Sequence, residues 1–178
     1  MKSEGLRKET FFLVRDWFMV ELTLLTGLRV AEVQNLRIND LMIRHSMSSV
    51  HVRCGKGGKK RDVWINNELR KECIEFLGIR EKFGLANDAN DYVFCSSTGK
   101  PMTTRGLQKA FKRCLRRARI ENCYTFHCMR HTYATFLLDL SNLRVVQEQL
   151  GHSSVKTTEI YTALINKSIK KSLEKIYK

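Results

Sequence analysis

The residues that stand out for their chemistry lie in three places along the chain. His127 and Arg130 are three apart in the run His127-Cys128-Met129-Arg130. On a helix that spacing puts both on one exposed face, away from the apolar stripe through Met129 and Tyr133. Such a pair makes a phosphate clamp, because Arg offers a planar fork of donors and His can donate or shuttle a proton. An ordinary polar helix face is the alternative. His127 and His131 are also four apart, which raises a zinc reading. The hydrolase form of that pattern needs Glu directly after the first His, and Cys128 holds the place, so a metal site is set aside.

Leu150-Gly151-His152-Ser153-Ser154 comes next. Gly151 can end one helix and Ser153 or Ser154 can cap another. His152 then lies in a tight connection that can aim it at a ligand, and Tyr161 follows on the next helix. Alone, Tyr161 reads as a half-buried aromatic. In the first half of the chain Arg29 opens a helix directly after Gly27-Leu28. Free N–H groups already favour anions there, though Arg29 could instead pair with Glu32. Lys56, Lys59 and Lys60 crowd a glycine-rich segment, which suits either a reach into a groove or a solvated turn.

Hydrophobic periodicity supplies the elements that must position these residues. Phe11, Val14, Phe18, Leu22 and Leu25 form one stripe of a helix over 8–26, and a short helix runs from Val30 to Leu36. The period then falls to two. Val50, Val52 and Cys54 alternate with polar residues, as do Val63 and Ile65, and the glycines of Gly55-Lys56-Gly57-Gly58-Lys59 permit a reversal between them. This predicts a β-hairpin with a lysine-rich tip. Helical spacing returns in Leu69, Cys73, Phe76 and Phe83. A polar loop at Asn87–Asp91 precedes a short strand at Tyr92–Cys95 and a turn at Ser96–Pro101. Leu107, Phe111, Leu115 and Ala118 mark a basic helix, and Met129, Tyr133, Phe136 and Leu140 the stripe of another beginning near Phe126. Shorter helices follow at Leu143–Leu150 and Val155–Leu164, and a last one, over 165–177, carries Ile165, Ile169, Leu173 and Ile176. The fold class expected is mainly α with a small antiparallel β-sheet, in one domain over 1–178.

Charge narrows the partner. The 32 Lys and Arg against 18 Asp and Glu leave +14, which favours a polyanion because each cation at a phosphate releases condensed counterions. Charge alone leaves DNA, RNA and an anionic membrane open. No stretch approaches the ~20 apolar residues of a membrane helix, and the polar opening residues do not read as a signal peptide. A cytoplasmic protein is the natural expectation. The six cysteines form no Cys-x-x-Cys pair and read as reduced core thiols.

Taken together and in order, the motifs resemble the catalytic domain of the tyrosine recombinases, the phage-integrase and Xer-type family. The resemblance runs from about Phe11 to Lys178. It rests on Thr26-Gly27-Leu28-Arg29 with Glu32, Gly55-Lys56-Gly57, His127-x-x-Arg130-His131, and Leu150-Gly151-His152-Ser153 followed by Tyr161. Cys128 and Met129 replace the Thr-Leu often found in relatives. The resemblance implies the DNA breaking-rejoining enzyme fold and catalysis by Arg29, Lys56, His127, Arg130, His152 and Tyr161, with Tyr161 as nucleophile. Lys59 is the fallback for Lys56, because hairpin register is easy to misjudge.

It further implies metal-free, cofactor-free cleavage and rejoining through a 3′-phosphotyrosine. The partner would be double-stranded DNA, bound as a homo-tetramer, with accessory DNA-bending proteins and a nucleoid location. Lys59, Lys60, Arg105, Lys109 and Lys112 are the expected further DNA contacts. The helix over 165–177 would dock on a neighbouring protomer. Relatives usually carry an N-terminal DNA-gripping domain, and the family-like part here begins almost at Met1. A type IB topoisomerase uses a similar residue set, and a catalytically silent DNA-binding relative is the other alternative. The compact spacing from His152 to Tyr161 and the complete residue set favour the recombinase.

Overall fold

The computed structural model describes residues 2–44, 47–55, 58–96 and 98–151, with side chains from residue 9 onward. Helix α1 (Lys2–Thr26) runs through the middle of the domain, against α3 (Asn67–Lys82), α4 (Thr104–Arg117) and α5 (Phe126–Leu140). Its buried stripe of Phe11, Phe18 and Leu22 matches the predicted one, while Leu25 stays partly exposed. Phe18 stacks on Phe76 of α3 with ring centroids 4.3 Å apart, and Phe94 closes the group at 5.9 Å from Phe18. Such ring contacts add to the burial of large apolar area.

The short α2 (Val30–Gln34) and a 3-10 turn (Ile38–Asp40) lead into a three-stranded antiparallel sheet. Its order is β1 (Leu41–Met42), β2 (Ser48–Val52), β3 (Arg61–Ile65). The predicted hairpin is present, with Val50 opposite Val63 and Val52 opposite Arg61. Strand β2 ends at Val52, and Cys54, expected to continue the alternation, is exposed. The remaining helix is α6 (Leu143–Leu150), which packs on α5 and β3. Side-chain oxygens of Asn66, Thr103 and Asn142 cap α3, α4 and α6 by accepting backbone N–H groups. Among the described residues no helix is long and apolar enough to cross a membrane.

Several expectations need correction. Tyr92–Cys95 is not a strand but a loop touched by isolated bridges, Arg37 to Tyr92 and Cys95 to Pro101. Its backbone groups find separate partners in place of a ladder. The Val93 N–H donates to Leu36 O at 2.9 Å, and Phe94 O accepts from Met102 N at 3.0 Å. Val93 O accepts from the buried Arg80 at 2.9 Å, and Arg80 also donates to Ala86 O and Asn87 Oδ1. One guanidinium thus does the work of a neighbouring strand. On α5, Met129 is buried and Tyr133 half-buried, but Phe136 and Leu140 are exposed; Phe126, Met129, Arg130 and Ala134 make the buried face. Of the cysteines, Cys73 and Cys95 are buried, whereas Cys54 and Cys123 are exposed. The expected helices at Val155–Leu164 and over 165–177 lie outside the described residues.

Gly27 closes α1 with φ +64, a left-handed conformation that glycine adopts without strain. A Cβ there would lie 2.5 Å from Tyr133 Cδ1 and 2.8 Å from Leu150 Cδ2. Gly27→Ala is therefore expected to cost about 2 kcal/mol, from both backbone strain and overpacking. For a domain of this size that is a fall in melting temperature of about 4–8 °C. Thermal unfolding followed by circular dichroism checks this, and an unchanged midpoint would contradict it.

Candidate catalytic site

Four pieces of chain converge at the site: the corner between α1 and α2, the start of β3, the first turns of α5 and the last turn of α6. Arg29 caps α2, and its backbone N–H donates to Glu32 Oε2 at 2.8 Å. Its guanidinium also reaches Glu32, Nη1 to Oε1 at 3.0 Å. The Glu32 carboxylate is nearly fully buried and accepts a second arginine. Arg61 grips it with a two-pronged fork, Nη1 to Oε1 at 2.8 Å and Nη2 to Oε2 at 2.9 Å. Arg61 Nε then donates to Gln149 O at 3.0 Å, on the last turn of α6.

Burial alone would raise the Glu32 pKa. The Arg61 hydrogen bonds, the Arg29 N–H and the two positive charges outweigh that and hold it below its ordinary value of 4.5. A carboxyl depressed in the folded state contributes stability that is complete above that ordinary value. It is lost as pH falls through the lowered folded value.

Arg130 sits one turn into α5 and is buried, not displayed on an exposed face as the helical spacing suggested. Its Nη1 donates to Gly27 O at 2.6 Å and its Nη2 to Leu150 O at 2.8 Å. Both acceptors lie at helix C-termini, where carbonyls carry the negative end of the dipole. Arg130 thus pins the α1 corner to the end of α6. His127 remains exposed on the preceding turn, and its ring lies edge-on to His131 with centroids 4.6 Å apart. Partial burial, then the charges of His131, Arg130 and Arg29, lower the His127 pKa from 6.5. Among the described residues no third metal-binding side chain joins His127 and His131.

The structure therefore brings together Arg29, His127 and Arg130 from positions about a hundred residues apart in sequence. Lys56, His152 and Tyr161 lie outside the described residues. Of the candidate DNA contacts, Lys59, Lys60, Arg105 and Lys109 are exposed. Lys112 is half-buried, and its ammonium donates to Asn122 O at 2.6 Å and Tyr124 O at 2.7 Å, steadying the loop that enters α5.

Arg61 and Gln149 escaped sequence reasoning. A signal for Arg61 was present: it falls in phase with Val63 on a strand whose alternate residues face inward. A charge in that phase calls for a buried partner.

A model of the phage integrase family matches residues 8–167. The chain is 35% identical over 153 residues to the tyrosine recombinase XerD of Halalkalibacterium halodurans, covering 85% of this chain and 50% of that protein. It is 36% identical over 162 residues to XerC of Pseudomonas fluorescens, covering 90% and 52%. Among solved structures, the XerA recombinase superposes with a TM-score of 0.72 at 32% identity, over 91% of this chain and 57% of that one. The XerH site-specific recombinase bound to its difH substrate superposes at 0.70 and 30% identity, over 84% and 42%. The chain spans about half the length of the curated relatives it matches. These likenesses, over a fold that is mostly helical with a three-stranded antiparallel sheet, have one reading: the chain belongs to the phage integrase family and has the fold of a tyrosine recombinase catalytic domain.

Proposed function

We propose that this chain is the catalytic domain of a site-specific DNA recombinase that cuts and rejoins strands through a 3′-phosphotyrosine. The observation that carries the reading is the gathering of Arg29, His127 and Arg130 about one place, where both arginine charges act on the histidine. A DNA phosphodiester resists nucleophiles because it is charged, and its pentavalent transition state concentrates more negative charge on the non-bridging oxygens. Arg29 and Arg130, held on rigid helices, neutralise that charge with no metal required.

Tyr161 attacks phosphorus through its phenolic oxygen, forming the P–O bond of the 3′-phosphotyrosine as the bond to the 5′-oxygen breaks. A phenol near pKa ~10 needs help to lose its proton. His127 accepts it, and partial burial with the neighbouring positive charges lowers its pKa, which favours the uncharged ring that can take a proton. Lys56 protonates the departing 5′-oxygen, and His152 orients the phosphate by hydrogen bonding. The new ester keeps the energy of the old one, so a second 5′-hydroxyl can reverse the step and reseal the strand.

Double-stranded DNA is the substrate, in the cytoplasm at the nucleoid. Lys59, Lys60, Arg105 and Lys109 offer exposed cations to its backbone. Lys112 contributes through the loop it holds. Residues 1–178 work as one catalytic unit whose helix over 165–177 docks on a neighbouring protomer of a tetramer, assisted by DNA-bending proteins.

Tyr161→Phe is expected to abolish covalent capture of a nicked suicide DNA while leaving DNA affinity within about threefold, less than 1 kcal/mol. An SDS-resistant adduct from that variant would rule out Tyr161. Adduct formation by the unaltered protein is expected to proceed equally in EDTA; loss on chelation, restored by a divalent cation, would overturn the arginine mechanism. The His127 ring is expected to titrate below 6.5 in the DNA-free protein, followed by NMR of its Cε1–H against pH. A midpoint above 6.5 would contradict the lowering by partial burial and the neighbouring charges.

A further inference from the structure

Among the described residues, Arg61 is a largely covered cation at this site to which the chemistry above gives no task. It opens β3, opposite Val52, at the base of the hairpin loop that carries the lysines. Only a tenth of its side chain is exposed. Three of its nitrogens donate within 3.0 Å, two to the Glu32 carboxylate and one to Gln149 O. The same carboxylate holds Arg29 through both its backbone N–H and its guanidinium.

Gly151 adds an independent observation. It ends α6 with φ +63, and a Cβ there would lie 2.8 Å from Arg61 Cδ. The last turn of α6 is thus fitted around the Arg61 side chain.

We propose that Arg61 is a positioning residue for catalysis: by fixing both oxygens of Glu32 and the last turn of α6, it holds Arg29 in place for the scissile phosphate. The inference rests on the recombinase reading. Arg29 by itself holds each oxygen of Glu32 through a single bond, Oε2 by its backbone N–H and Oε1 by Nη1. The two-pronged Arg61 fork adds a second bond to each oxygen and stiffens the carboxylate plane on which the Arg29 guanidinium rests, since parallel hydrogen bonds define that plane. Lysine keeps the charge but has neither the fork nor the reach to two acceptors in fixed directions. The inference therefore separates geometry from charge.

The test compares the unaltered protein with Arg61→Lys, and with Glu32→Gln as a second variant that keeps the side-chain shape. Single-turnover adduct formation is measured on a nicked suicide DNA, beside DNA affinity and melting temperature, at a temperature where every variant is folded. A parallel substrate carries a methylphosphonate at the scissile position, which lacks the charge that Arg29 neutralises. On ordinary DNA, Arg61→Lys is expected to cut about 100-fold more slowly, the scale of a misplacement of about 1 Å. Its DNA affinity should stay within about threefold, less than 1 kcal/mol.

On the methylphosphonate the loss should shrink to about a tenth of that, because one misplaced arginine no longer matters. Glu32→Gln should follow the same pattern. A merely structural arginine would lower the melting temperature and leave the rate per folded molecule unchanged, and that result overturns the inference. So does an equal loss on both substrates, or full activity in Arg61→Lys. If the unaltered protein forms no adduct on either substrate, the recombinase reading falls and takes the inference with it. If it cuts and Arg61→Lys cuts as fast, the inference falls alone.

Discussion

Everything at this site depends on one buried carboxylate. Arg29, Arg61 and Arg130 are drawn toward one region of a chain that already carries +14. Like charges at such range repel, and the cost grows as water is excluded. Glu32 is the anion that makes the arrangement tolerable. It pairs with Arg29 and Arg61 at once, and its own burial is compensated because both oxygens are bonded. Take it away and the Arg61 guanidinium, with only a tenth of its side chain exposed, loses its charged partner, a penalty on the order of 3–5 kcal/mol.

The same network solves a topological problem. The candidate catalytic groups come from distant parts of the sequence, so the fold must hold an early corner against late helices. Two ties do so. Arg61 links Glu32 on α2 to Gln149 O on α6, and Arg130 links Gly27 O to Leu150 O. Both use backbone carbonyls at helix ends, which are unsatisfied within their own helices. Gly27 and Gly151 mark the places where backbone comes too close for any side chain. Structural and chemical demands therefore meet in the same arginines. This is why Arg130 is buried although its expected task is to touch a phosphate.

Much of this was legible in the sequence, and the remainder was hidden for physical reasons. The 3.6-residue stripes of α1, α3 and α4 and the alternation across β2 and β3 reported their elements, because each packs one regular face on a single core. Arg29 and the His127–Arg130 pair were legible because residue type, local spacing and order agreed. The failures lie where a side chain replaces a backbone partner. Arg80 holds the segment around Val93 from outside the local sequence, so an apolar run that looked like a strand is a loop. Arg61 is a lone charge in an apolar phase, and its partners lie 29 and 88 residues away. Burial of Arg130 has the same origin, since its acceptors are carbonyls and carbonyls have no signature in sequence. The exposed Phe136 and Leu140 show that a helical stripe tells which residues align, not how far the cover extends.

The central claim is a covalent bond between one tyrosine and one DNA phosphate, formed in a pocket that Glu32 keeps assembled. Its most direct test is mass spectrometry of the trapped complex after protease and nuclease digestion. The account predicts a single modified peptide, with a nucleotide joined through its 3′-phosphate to Tyr161. A nucleotide on any other side chain, or one joined through a 5′-phosphate, would contradict it.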